Sequence, residues 1–263
     1  MSRSPWLLCR IRRPQAPLRM YCLAHSGGSA GEFLMWAEHL PEVEVWGLQL
    51  PGHGARMMEQ ALTAMPELVA AIVAEVEFAA PYVLFGHSLG AGIAYEVAVA
   101  LRELGAPLPS ALVLSSFAAP DRQRHDSELA GLDDRALIAG LEEQFGPLPE
   151  ELREDPDWLE LAIQTLRADL RIVEDYRPSK ADPLPCPLLV LGGSDDQTVS
   201  EADLSAWSSR TTSDFRLRMT PGGHFYFRED SDDFHPYLAD QLLRLAGRAV
   251  PGSAALGSAA PVS

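Results

Sequence analysis

Residues Gly86-His87-Ser88-Leu89-Gly90 stand between an apolar run, residues 82–85, and a stretch of small and apolar residues that continues to Leu104. A strand can hand over to a helix in so few residues only through a very sharp turn. Glycine at both flanks removes the side chains that would collide there. Such a turn lifts the Ser88 hydroxyl to the C-terminal edge of its strand. It also aims the Leu89 N–H and the positive end of the helix at any group reacting with that hydroxyl. G-x-S-x-G in a strand–turn–helix setting therefore names Ser88 as a nucleophile and requires a strand–helix architecture around it.

The remaining pattern agrees. Residues 20–24, 43–50, 111–115, 188–191 and 215–219 read as further strands. Most are nearly continuous in apolar residues, as expected of parallel strands covered on both faces. Between them lie helical stretches at 62–78, with Leu68, Ile72 and Val76 on one stripe, at 89–104, closed by Gly105, and at 234–245. Alternation of this kind predicts a mainly parallel sheet flanked by helices. Residues 118–187 break the rhythm. They contain no convincing strand, but helices are expected around 133–145 and around 156–176, the latter with Leu159, Ile163, Leu166, Leu170 and Val173 at spacings of three or four. The expected organisation is a core of residues 1–117 and 188–248, a helical lid of residues 118–187, and a Gly/Ala/Ser/Pro-rich disordered tail of residues 249–263.

A serine hydroxyl needs a base, and the base needs an orienting carboxylate. In the α/β-hydrolase fold the chain order is serine, acid, histidine. Of the seven histidines, only His125, His224 and His235 follow Ser88. His125 falls in the lid and precedes any acid that ends a later strand. His224 follows the last strand in Pro221-Gly222-Gly223-His224, where the glycines let the loop curl over the sheet edge, and is preferred. His235, at the start of the terminal helix, is the fallback. The acid belongs at the end of the preceding strand, where Gly192-Gly193-Ser194-Asp195-Asp196 offers two aspartates that spacing does not separate; Asp203 lies inside the next helix. The loop after the first long strand, His25-Ser26-Gly27-Gly28-Ser29-Ala30, resembles the glycine-rich loop that supplies a second oxyanion donor. The Ser26 N–H is assigned that role beside the Leu89 N–H, with His25 as a loop brace.

Charge narrows the function classes. Against 21 Lys and Arg stand 37 Asp and Glu, a net charge of −16. That balance repels nucleic acid and anionic lipid, and no basic block offsets it. No stretch approaches the ~20 apolar residues of a membrane span. The three cysteines, Cys9, Cys22 and Cys186, are scattered and odd in number. They make neither a disulfide framework nor a zinc site, and a cytoplasmic setting is expected.

Taken together, the chain resembles the type II thioesterases, the stand-alone kind associated with polyketide, nonribosomal-peptide and fatty-acid synthases. The resemblance is carried by the 25–30 loop, Leu50-Pro51-Gly52-His53-Gly54-Ala55-Arg56, residues 86–90, Leu166-Arg167-Ala168-Asp169 with Tyr176, Gly193-Ser194-Asp195-Asp196, and Gly222-Gly223-His224-Phe225. It selects Asp196 over Asp195. The family often has Ala at position 26 and Arg at position 53, where this chain has Ser26 and His53. The resemblance implies hydrolysis of acyl groups from the phosphopantetheine arm of an acyl or peptidyl carrier protein, through an acyl-Ser88 intermediate and with no cofactor or metal. Arg10, Arg12, Arg13 and Arg19 are candidates for docking an acidic carrier, or else brace the N-terminal strand. The competing expectations are a carboxylesterase or lipase of the same fold, and a non-catalytic binding protein built on it.

Overall fold

The computed structural model describes residues 4–123, 128–148, 150, 154–229 and 231–246. Its strands are β1 Leu7–Leu8, β2 Leu18–Leu23, β3 Val43–Leu48, β4 Tyr82–His87, β5 Ala111–Ser115, β6 Leu188–Gly193 and β7 Phe215–Thr220. They form one sheet in the order β1-β3-β2-β4-β5-β6-β7. Every pairing is parallel except that of β1 with β3. The expected strands are all present, with ends displaced by a few residues. β1 is additional; two residues carry no readable period.

The apolar runs split by alternation, as strand geometry demands. Along β4, Tyr82 and Leu84 enter one core while Val83 and Phe85 enter the other. The first core is closed by two helices, α2 Met65–Glu75 and α3 Leu89–Glu103. The second is closed by Phe33 of the short α1 Gly31–Leu34 with Trp36 just after it, and by Phe227 and Phe234 from near the C-terminus. Burial of both faces explains why the central strands β4, β5 and β6 are almost wholly apolar.

Between β5 and β6 lie α4 Asp134–Phe145 and α5 Pro156–Glu174. Both start on aspartate caps: Asp133 accepts the Ala136 N–H, and Asp155 accepts those of Asp157 and Trp158, with Pro156 in the first helical position. α4 and α5 share a small apolar cluster of Leu137, Leu141, Ile163 and Leu170 that is separate from the two sheet cores. Arg167 ties the cluster to its entry loop through the Ala130 and Leu132 carbonyls and through Asp134. The C-terminal end of the insert is keyed to the body. Ile172 and Tyr176 join the first core, and the Tyr176 hydroxyl donates to buried Glu96 of α3 at 2.6 Å.

Further along are α6 Glu201–Ser205, α7 Tyr226–Glu229 and α8 Ser231–Ala246. His125 and the tail at 249–263 lie outside the described residues. Among the described residues, no helix is long and apolar enough to cross a membrane.

Candidate active site

β4 ends and α3 begins at Ser88, whose φ of 53° and ψ of −125° lie in a region that non-glycine residues avoid. Holding it there costs about 1–3 kcal/mol, which the surrounding packing supplies. The glycines permit the bend. A Cβ on Gly86 would overlap the Gly90 carbonyl, and one on Gly90 would overlap the Leu23 carbonyl at the end of β2. The Ser88 N–H donates to the Ser115 carbonyl at 2.8 Å, tying the turn to β5. The side chain stays half-buried.

The close approach of Gly90 to β2 brings the 25–28 loop alongside the first turn of α3. Leu89, Ala24, His25 and Gly28 line the same cleft. As the first residue of its helix, Leu89 has no intrahelical acceptor for its N–H. Among the described residues no backbone carbonyl takes the Ser26 N–H. His25 lies 3.3 Å from Glu32 and edge-on to Phe225, a brace for the loop.

The loop after β6 carries Asp196, whose side chain is fully buried. His224 Nδ1 donates to Asp196 Oδ2 at 2.8 Å. The other carboxylate oxygen accepts the Thr198 N–H at 2.9 Å and its hydroxyl at 2.7 Å. Burial by itself would raise the Asp196 pKa, but the His224 and Thr198 bonds outweigh it and hold the carboxylate below its usual value. Asp195 points elsewhere. It bonds Gly222 in both directions, N–H to carbonyl at 2.9 Å and carboxylate from N–H at 3.2 Å, and so staples the acid loop to the His224 loop. Asp203 caps α6 with Ser200. His235 lies in α8, stacks on His39 at 4.4 Å and packs edge-on against Trp36.

The structure thus joins Asp196 to His224 directly. It sets the His224 ring 4.9 Å from that of His87, the residue before Ser88. Among the described residues, no hydrogen bond links the Ser88 hydroxyl to His224; such contacts commonly tighten only with substrate in place. His87 is buried, and its Nδ1 bonds the Ser115 hydroxyl, which in turn bonds Tyr226. Burial, with the charges of His224, His25 and Arg228, drives its pKa far down, so it remains neutral packing against His224. Phe145, the last residue of α4, also packs on His224, with ring centroids 4.9 Å apart.

The sequence matches the family described as "Thioesterase domain" over residues 18–244. The chain belongs to the thioesterase family. It is 34% identical over 245 residues to Thioesterase PikA5 of Streptomyces venezuelae, covering 89% of this chain and 84% of that one. It is 31% identical over 240 residues to the gramicidin S biosynthesis protein GrsT of Aneurinibacillus migulanus, covering 90% and 93%. Among solved structures, the type II thioesterase BorB from the borrelidin biosynthetic cluster matches with a TM-score of 0.80 at 34% identity, over 90% of this chain and 97% of that one.

Two contributors to the thioesterase site escaped sequence reasoning. Thr198 forms an Asx turn on Asp196, a signal present in the Asp-x-Thr spacing. Phe145 left no such signal, because nothing local says where a helix end will land. The N-terminal arginines mostly brace. Arg13 donates to the carbonyls of Ala37, Leu40 and Val43, and Arg12 and Arg19 pair with buried Glu44. Arg10 pairs with Glu38.

Proposed function

We propose that this thioesterase releases acyl groups from the phosphopantetheine arm of an acyl or peptidyl carrier protein, clearing stalled or mis-primed units. Ser88 is the nucleophile, His224 the base and Asp196 its orienter; the N–H groups of Ser26 and Leu89 receive the oxyanion. The observation that carries the reading is the 2.8 Å bond from His224 Nδ1 to a buried, ionised Asp196. With Nδ1 donating, Nε2 keeps its lone pair for the Ser88 proton. Ser88 Oγ attacks the thioester carbon, the C–S bond breaks, and the thiol leaves with the proton held by His224. Water then attacks the acyl-serine, giving its proton to His224, and Ser88 is regenerated with release of the acid.

Thioester rather than oxygen-ester chemistry is favoured by the family and by relatives such as PikA5 and BorB. The α4–α5 insert, with Phe145 over His224, serves as a lid across the acyl channel. A cytoplasmic setting suits three free thiols, two of them buried. Residues 118–187 form the lid unit and the flanking segments the hydrolase core.

The test compares kcat/KM on an acetyl-loaded acyl carrier protein with that on p-nitrophenyl acetate. The carrier substrate is expected to win by about tenfold or more, and Ser88→Ala to lose at least ~10³-fold on both. A preference for the oxygen ester would overturn the substrate assignment. A working Ser88→Ala would overturn the site.

A further inference from the structure

The oxyanion loop is gripped by the lid helix. The Gly28 N–H donates to the His25 carbonyl at 2.9 Å, and Gly27 has φ of +73°. Ser26 is not among the residues with positive φ, so residues 25–28 form a type II turn with glycine where the turn needs it. Type I and type II turns differ by a flip of the central peptide, here Ser26–Gly27. The N–H of that peptide is held from outside the loop: Gly27 donates to Asp169 Oδ2 at 2.7 Å. Asp169 lies on α5, with its side chain 2% exposed. One turn back on the same helix, Leu166 packs against Gly27, and the Thr165 hydroxyl donates to the Gly52 carbonyl at 2.8 Å. α5 therefore holds the 25–28 loop and the 51–56 loop together.

The second loop supplies the other partner of Asp169. His53 Nε2 lies 2.8 Å from Asp169 Oδ2, and His53 Nδ1 lies 2.9 Å from the Pro51 carbonyl. A carbonyl and a carboxylate both only accept, so both ring nitrogens carry protons and the ring is an imidazolium. Imidazole is the stronger base of the pair by ~2.6 pK units in ordinary peptides, which puts the proton on the ring. Burial pulls the His53 pKa down, but the Asp169 bond and charge and the Pro51 carbonyl outweigh it, and the net shift is upward. Two other titratable groups lie near this pair, each with its own carboxylate partner. His25, from the β2 loop, lines the same cleft and pairs with Glu32 of α1. Arg56, on the His53 loop, pairs with Glu59. The neutral Gln49 amide donates to the His53 carbonyl.

We propose that Asp169 is a positioning residue for hydrolysis, holding the oxyanion loop in its donor conformation from the lid helix, with His53 as its counter-cation. The proposal rests on Ser26 supplying an oxyanion donor. Loss of the His53 proton removes one of the ring's two bonds and leaves a buried carboxylate facing a neutral partner. A group whose pKa is raised by folding stabilises its contacts below its titration, and that contribution fades as pH rises through it. The clasp is therefore complete at low and neutral pH and slackens on the alkaline side, where donor geometry and kcat decline together.

The test follows kcat and KM of the full chain on the acetyl thioester of N-acetylcysteamine from about pH 6 to about pH 10, a range spanning an upward-shifted histidine. Asp169→Asn is expected to lower kcat by about tenfold to a hundredfold with KM within about twofold, less than the full loss of an oxyanion donor. The parent kcat is expected to fall on the alkaline side. His53→Arg, which keeps a cation on Asp169, should move that fall upward by about one pH unit or more, whereas His53→Gln should lower kcat at every pH. An Asp169→Asn kcat within about twofold of the parent, or a raised KM with kcat intact, would overturn the proposal. So would an alkaline limb shared by the parent and His53→Arg, which decides the matter even where the Asn variant does not fold. An active Ser88→Ala would instead sink the site reading beneath it.

Discussion

At Ser88, backbone geometry does what no side-chain substitution could. A residue forced to φ of 53° stands clear of its strand because glycines on either side leave room for the carbonyls of Gly90 and Leu23. Gly90→Ala would press a methyl group into β2, and expression as folded protein should drop sharply, read by the yield of soluble monomer. The two adjacent aspartates make a second residue-scale test. Asp196→Asn turns an amide donor toward His224 Nδ1 and favours the wrong tautomer, so kcat should fall on the order of 10³–10⁴-fold. Asp195→Asn keeps an oxygen for the Gly222 N–H and should cost about tenfold or less. Steady-state kinetics on one acyl thioester separates them; the reverse ranking would exchange their roles.

At the level of elements, the insert between β5 and β6 has two mechanical characters. Its outer part rests on a small cluster around Leu137, Leu141 and Ile163, while its inner end is anchored in the main core. Few buried contacts mean low local stability. Amide hydrogens of α4 should exchange faster than those of β4 under native conditions; equal protection would mean that insert and sheet open as one unit. The anchor can be loosened separately. Tyr176→Phe removes the 2.6 Å bond to Glu96 and leaves that buried carboxylate with the Ser179 N–H. The expected cost is about 1–3 kcal/mol in a urea titration.

For the molecule as a whole, an excess of 37 acidic over 21 basic residues sets the response to acid. Burial opposes ionisation of Asp196, Glu32 and Glu44, yet hydrogen bonds and nearby positive charge lower all three pKa values. Groups of this kind stabilise the fold above their unfolded pKa, near 4, and lose that contribution as pH falls through their folded values. The urea midpoint should therefore begin to fall below pH ~6.5, where His87 stays neutral in the fold but protonates in the unfolded chain, and fall more steeply below pH ~4 as these carboxylates are protonated. By itself the sequence determined the parallel sheet, because central strands covered on both faces are nearly continuous in apolar residues, and it determined the Ser88 turn, because only glycine fits beside it. Through chain order and loop position, it also narrowed the candidate base to His224, with His235 as the fallback, and the candidate acid to two neighbours. It left β1 unread, since two residues have no period. The tertiary structure placed Asp196, which the resemblance had selected, against His224, and it alone decided that Phe145 packs on His224 and that His53 and Gly27 converge on Asp169 from 116 and 142 positions away. Those contacts depend on how loops from separate strands and a helix from the insert come to rest at one sheet edge, and no local periodicity encodes that.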